Sequence, residues 1–227
     1  MSIVFERAIS GTLAIAAIVI AGSTFHREFA SPPPAGPTIP KPEYVRDWRA
    51  IANAGIRDGD SAARIQVIEF ADFQCPFCAQ YEQTLRAFQK EHRGQVARVF
   101  VHFPLTIHRF ARSAARAAEC AAAQGRFPQM QTALYAKQDS FGLRPWSAYG
   151  ADAAVTDSVS FAKCAADSNR LERIEQGIAL ANKLKVYGTP AVIINGWKFM
   201  GGPPDSILAR VADRLLAGKS PADVVRP

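Results

Sequence analysis

Cysteine is scarce in this chain: four residues in 227, at positions 75, 78, 120 and 164. Tetrahedral zinc needs four ligands, ordinarily a second C-x-x-C or a paired histidine. Cys120 and Cys164 stand apart from each other and from any close His pair, so no metal site is expected, and no bound cofactor either. His102 and His108 have no carboxylate cluster beside them in the sequence and read as ordinary loop or strand-end histidines. The formal net charge is +7, yet no dense run of Lys or Arg occurs. The excess reads as a solvated basic surface, and no nucleic-acid role follows from it. No internal repeat is visible. With 48% hydrophobic residues the chain can bury one good core, which fits one globular domain with an insertion better than two independent domains.

The apolar run at residues 8–21 carries no charge but falls short of the ~20 residues of a membrane-spanning helix. It fits the ~7–15-residue apolar region of a secretory signal peptide, with Ala21 or Ala30 as cleavage points. An uncleaved anchor extending to Thr24 or Phe25 is the alternative. Residues 1–25 are therefore read as a signal peptide or N-terminal membrane anchor, and both place the rest of the chain outside the cytoplasm, in the periplasm or its equivalent, where disulfides persist. Pro32, Pro33, Pro34, Pro37, Pro40 and Pro42 follow; such a run favours polyproline II and a stiff spacer, or else a plain linker.

What is present is concentrated at residues 75–78, Cys-Pro-Phe-Cys, where a strand at 65–70 gives way to a helix expected from 75 to about 92. A thiol at a helix N-terminus meets unpaired N–H groups and the positive end of the helix dipole, and both stabilise the thiolate. The second cysteine, three positions on, can attack a mixed disulfide and release the product. Cys75 is thus the expected attacking thiol and Cys78 the expected resolving one. Far downstream, Gly188-Thr189-Pro190 precedes an apolar strand at 191–195. The plain reading is a helix stop before a strand; the sharper one is a cis Thr189–Pro190 bond.

Phe70-x-Asp72-Phe73-x-Cys75-Pro76-Phe77-Cys78, then Gly188-Thr189-Pro190, then Asn195-Gly196, together resemble the DsbA family of thiol–disulfide oxidoreductases, in its thioredoxin-like DsbA domain branch. The resemblance covers residues 60–216. It implies an α/β thioredoxin fold with an inserted α-helical subdomain, a cis Pro190 against Cys75, and a Thr189 backbone that bonds an extended substrate peptide. It implies that Glu69 lies beneath the cysteines and influences their redox chemistry, with Arg98 near the place of a basic partner. Glu69 also sits in an otherwise apolar strand, where a buried carboxylate needs a partner or a raised pKa; the alternative is a solvated sheet edge. Pro76 and Phe77 tune the pair; Phe77 stands where the best-known motif has His, so one source of thiolate stabilisation is missing. Some DsbA-like proteins carry an extra cysteine pair in the helical insertion, and an exported Cys120 and Cys164 divide naturally into a second, structural disulfide, against the alternative of two buried free thiols.

The expected organisation is a linker and helical lead-in over 26–59, with helix at 44–54; a DsbA-like domain over 60–218, with a helical insertion at about 105–186; and a tail at 219–227. Strands are expected at 65–70, 96–103, 191–195 and 197–200, and helices at 109–124, 128–138, 155–166 and 171–185, with a closing amphipathic helix after residue 207. The expected function is oxidation of client protein dithiols by a monomer that a membrane redox partner recycles. Reductase or isomerase activity is the alternative, and a peptide-binding chaperone on the same fold is the rival of another class.

Overall fold

The computed structural model describes residues 41–221 and Val224. The segment expected as a signal peptide or anchor and most of the proline-rich run lie outside the described residues, as do positions 222, 223 and 225–227 of the tail. One mixed sheet of six strands organises the described residues, in the order β1-β6-β5-β3-β4-β2. The strands are β1 (Glu43–Tyr44), β2 (Ile56–Asp58), β3 (Ile65–Ala71), β4 (Val96–His102), β5 (Ala191–Ile194) and β6 (Trp197–Met200). The helices are α1 (Trp48–Asn53), α2 (Pro76–Glu91), α3 (Ala111–Ala122), α4 (Phe127–Ala136), α5 (Trp146–Asp152), α6 (Ser158–Ala166), α7 (Glu172–Lys183) and α8 (Asp205–Leu216).

β3 and β4 are parallel, as a β-α-β unit through α2 requires, and every residue of both strands is buried. Burial on both faces is why they read as near-continuous apolar runs. β5 and β6 close antiparallel beside β3 through Asn195-Gly196, both at positive φ, a two-residue hairpin turn. The period of two sorts the side chains. Ile68 and Phe70 of β3, with Val99 and Val101 of β4, pack with Trp48, Ile51 and Ala181 on one face. Ala71 and Phe100 pack on the other, against the helical insertion. The chain thus has the α/β thioredoxin fold with an inserted helical subdomain that the motifs implied.

The insertion is α3 to α7. α3 presents Ala114, Ala117, Ala118 and Ala121 to the core, so neighbouring helices approach its backbone closely. α7 docks just as tightly on the sheet: a Cβ on Gly177 would lie 2.2 Å from the His102 carbonyl oxygen. Three elements differ from the sequence expectation. The lead-in is not one helix over 44–54: Glu43–Tyr44 pairs with β6, and the helix is confined to Trp48–Asn53. Ile56–Asp58, expected as lead-in, forms an edge strand on β4. α5 was not anticipated, and Gly150 within it lowers its helix propensity. Here Gly150 is a packing glycine, since a Cβ would come within 2.7 Å of the Phe161 ring.

Candidate active site

The turn after β3 carries the chemistry, and it is held on several sides. Asp72 is fully buried. Its Oδ1 accepts the Gln74 N–H at 2.7 Å, and its Oδ2 accepts the Leu105 N–H at 2.8 Å and His108 Nδ1 at 2.7 Å. Gln74 Oε1 in turn accepts the Phe110 N–H at 2.6 Å. Gln138, just past α4, donates Nε2 to the carbonyls of Phe73 at 2.6 Å and Cys75 at 2.9 Å. The Phe73 ring stacks on Phe100 with centroids 4.8 Å apart. The helical insertion therefore clamps the cysteine loop. Sequence reasoning missed this: Asp72 figured only as a motif letter, and Gln138 only as a helix end.

Cys75 is the N-cap of α2, with extended backbone, and Pro76 occupies the first turn, where its missing N–H costs nothing. Both cysteines are free thiols in this structure. Cys75 is 3% exposed and Cys78 not at all, so the expected order of access holds but Cys75 is itself largely covered. Cys75 Sγ donates to the Thr189 carbonyl at 3.3 Å. The Thr189–Pro190 bond is cis, as expected.

The two thiols are driven apart. The Cys75 thiol is held down to about 5, chiefly by a hydrogen bond from Cys78, which outweighs burial. Hydrogen bonding with Thr189 and the helix N–H groups of Cys78 and Phe77 add to this. Cys78 is pushed far up by burial first, then by its bond to Cys75 and the nearby Glu69 carboxyl. Phe77 contributes a backbone N–H while its ring is exposed; the helix turn itself supplies what a His would have reinforced. Because the thiolate is the nucleophile, labelling rises with pH through the thiol's own pKa. Iodoacetamide should therefore modify Cys75 with a midpoint near pH 5, against about 8.5 for an ordinary thiol. A midpoint above 8, or faster labelling of Cys78 than of Cys75, would reverse the two roles.

Beneath the pair, Glu69 is buried and its carboxyl is pushed up to about 8, by burial above all, with Arg98 opposing and Glu82 and Cys75 adding. The buried placement holds. The partnership expected with Arg98 is loose: the shortest approach is 3.9 Å. Arg98 instead faces Glu82, four residues after Cys78 on α2, with both terminal nitrogens bonded to that carboxylate. Cys120 and Cys164 form a disulfide between α3 and α6, with Cα atoms 5.9 Å apart. His102 and His108 are engaged by Glu119 and Asp72, and no cluster fit to hold a metal occurs among the described residues. Beside the cysteines a groove of about 520 Å³ runs between Phe77, Tyr81, Thr189, Pro190, Gly202 and Pro203.

A family model described as Thioredoxin matches residues 52–211. Among curated proteins, the chain is 38% identical over 145 residues to Na(+)/H(+) antiporter NhaA 3 of Salinispora tropica, a match covering 63% of this chain and 22% of that protein. The chain spans about a quarter of the length of the antiporters it matches. Among the described residues no helix is long and apolar enough to cross a membrane. Solved structures share the fold, two of them as follows. Oxidised BdbD of Bacillus subtilis superposes with a TM-score of 0.66 at 18% identity, covering 80% of this chain and 98% of that one. Wolbachia pipientis alpha-DsbA1 superposes at 0.60 and 24%, covering 71% and 90%.

Proposed function

The chain belongs to the thioredoxin family, and from that premise we propose that it is an exported thiol–disulfide oxidoreductase that oxidises client protein dithiols through Cys75 and Cys78. The observation that carries this reading is the asymmetry of the two sulfurs. One starts a helix, with a thiol held low chiefly by the hydrogen bond from Cys78; the other is sealed in the core and resists ionisation.

The chemistry follows from that asymmetry. A client thiolate attacks Cys75 Sγ of the oxidised pair. The Cys75–Cys78 bond breaks, its electron pair goes to Cys78, and the buried sulfur takes up a proton. Glu69, in the same buried layer and protonated to about pH 8, is the proton source this reading assigns. A second client thiolate then attacks the client sulfur of the mixed disulfide, and Cys75 leaves as its stabilised thiolate. The client has lost two electrons and the enzyme has gained them. The Thr189 backbone and Pro190 would seat the client strand, with the adjoining groove taking its side chains. A membrane redox partner would withdraw the electrons, and the protein would act as a monomer.

A low Cys75 pKa stabilises the reduced form and so makes the disulfide oxidising. Titration against glutathione buffers is expected to give a potential more oxidising than about −180 mV, against about −270 mV for a thioredoxin-type reductant. A value near the latter would favour a reductase. Aggregation suppression that persists in Cys75→Ser, with no measurable exchange in the unmodified protein, would favour the chaperone.

A further inference from the structure

The fold gathers at one place basic residues that form no run in the sequence. A hollow of about 500 Å³ lies between β1, β6 and the C-terminal end of α7, and four lysines and one glutamate line it. Lys198 is engaged: its Nζ donates to the Leu184 carbonyl at 2.8 Å and pairs with the Glu43 carboxylate at 2.8 Å. Glu43 is held below the usual carboxylate range by Lys198 first, with Lys185 a lesser influence. Lys41, Lys183 and Lys185 are exposed, and none has a bonded acid among the described residues. The hollow therefore keeps three cations that its one acid does not offset. Its position gives it a use. Tyr187, 80% exposed, stands two residues before Thr189, whose carbonyl meets Cys75 Sγ at 3.3 Å. Tyr187 and Met200 line the basic hollow, while Thr189 and Gly201 line the groove beside the cysteines. The two recesses thus share a rim. Asp205 lines the second, so charge changes sign from one to the other.

We propose that the basic hollow selects clients by taking the acidic arm of an extended substrate segment whose cysteine lies over Cys75. The inference rests on the oxidoreductase reading above and names its substrate class: proteins with carboxylates a few residues from the reacting cysteine. An extended strand advances about 3.3 Å per residue. A client seated on the Thr189 backbone therefore carries its chain past Tyr187 and brings side chains over the lysines about three to five residues from its sulfur. Lysine suits the task. Its flexible stem lets the ammonium follow a carboxylate in more than one register, which selects a class of client rather than one sequence. The recess favours a peptide over a lipid surface. Its cations share a rim with the reaction groove, as a chain threaded along both requires, whereas a bilayer would meet cations on a protruding face. Two or three exposed ion pairs of this kind amount to about three- to tenfold in rate at low salt, and to little at high salt.

The test follows reduction of the oxidised full chain by dithiol peptides that differ only in one arm. The arm carries glutamates, glutamines or lysines about three to five residues from the nearer cysteine, before the cysteine pair in one set and after it in the other. Each rate is divided by the same peptide's rate with a small neutral disulfide, which removes the arm's effect on the peptide's own thiols. In one placement the glutamate arm should react about three- to tenfold faster than the glutamine arm at about 0.01 M salt, and less than about twofold faster at about 1 M. Lys183→Gln with Lys185→Gln should remove that advantage, and Lys183→Glu with Lys185→Glu should transfer it to the lysine arm. Lys183→Arg with Lys185→Arg should keep it. So should Lys90→Gln with Lys163→Gln, which removes the same charge at exposed sites away from the hollow. Equal rates for all arms in the unmodified protein overturn the proposal, and that comparison needs no variant to fold. An advantage that survives Lys183→Gln with Lys185→Gln, or that the distant pair removes equally, overturns it too. Sedimentation with phosphatidylserine vesicles that the hollow variant loses, with no preference among the peptides, overturns it in favour of a lipid surface. Peptides that fail to reduce the disulfide whatever their arm strike the functional reading and this one with it; peptides that reduce it at one rate whatever their arm strike this one alone.

Discussion

Cys75→Ser is expected to abolish dithiol oxidation, and Cys78→Ser to trap clients as mixed disulfides. With Cys75 gone, the remaining thiol is wholly buried and pushed far up. A thiol titrating three units above the working pH is ionised to only about one part in a thousand, and here access fails as well. Turnover of a dithiol peptide should drop on the order of a thousandfold or more. Cys78→Ser has no internal disulfide for a client to attack, but its Cys75 thiolate still attacks a client that carries a disulfide, giving the mixed disulfide and releasing a client thiolate. The internal nucleophile that competes for that mixed disulfide is gone. Client adducts should then accumulate on non-reducing gels and disappear with reductant. Residual turnover of Cys75→Ser above about one-tenth, a margin set by that thousandfold expectation, would show that another group starts the reaction.

The acidity of Cys75 favours one direction of exchange more than it favours speed. At pH 7 a thiol with a pKa of about 5 is about 99% ionised, against about 3% for an ordinary cysteine. That gain of about thirtyfold is offset by the weaker nucleophilicity of an acidic thiolate, which falls about fortyfold over such a shift. As an attacking group Cys75 therefore gains little. As a leaving group it gains throughout, since a more acidic thiol departs faster. That acidity favours the step in which Cys75 is expelled, which in the proposed reaction is the step that delivers a disulfide to the client.

Most of this site was legible because its parts are local in sequence. C-x-x-C after a strand, Gly-Thr-Pro before another, and a carboxylate inside an apolar strand each announce themselves. Glu82 did not, for a physical reason. On a helix, Glu82 followed by Arg86 at i+4 reads as a solvated surface pair, and the pair does exist. What buries Glu82 is the approach of Arg98 from β4 and Gln131 from α4, which depends on how the strands and the insertion pack. The edge strand Ile56–Asp58 was hidden in the same way. Three residues carry too little period to read, and the clue is Gly55, where a Cβ would collide with Val99 Cγ1 at 2.4 Å and the Phe100 carbonyl oxygen at 2.6 Å. A glycine that admits a neighbouring strand looks, in sequence, like any turn glycine.

Replacing both Cys120 and Cys164 by alanine should cost the helical insertion much of its stability while sparing the active-site pair. The bridge joins α3 to α6 across a sequence separation of 44 residues. Cross-linking a loop of that length removes enough freedom from the unfolded chain to be worth about 4 kcal/mol, an upper value on the chain-entropy account. Its Cα separation of 5.9 Å sits in the ordinary range, so the bridge is compatible with the helix packing around it. The packing alone is thin in side-chain mass: α3 meets its neighbours largely through alanines. Such surfaces fit closely but bury little area per residue, so a covalent tie contributes a larger share of the hold. The double variant avoids leaving one reactive thiol behind. Thermal unfolding of both proteins, with Cys75 and Cys78 kept reduced, should show a midpoint lower by about 8–16 °C, taking roughly 2–4 °C per kcal/mol at this size. The reductant must be mild enough to open the active-site pair and leave the second bridge closed, which peptide mapping checks directly. A double variant that unfolds within about 1 kcal/mol of the parent would mean that the alanine interfaces suffice and that the unfolded chain is already compact enough to make the bridge redundant.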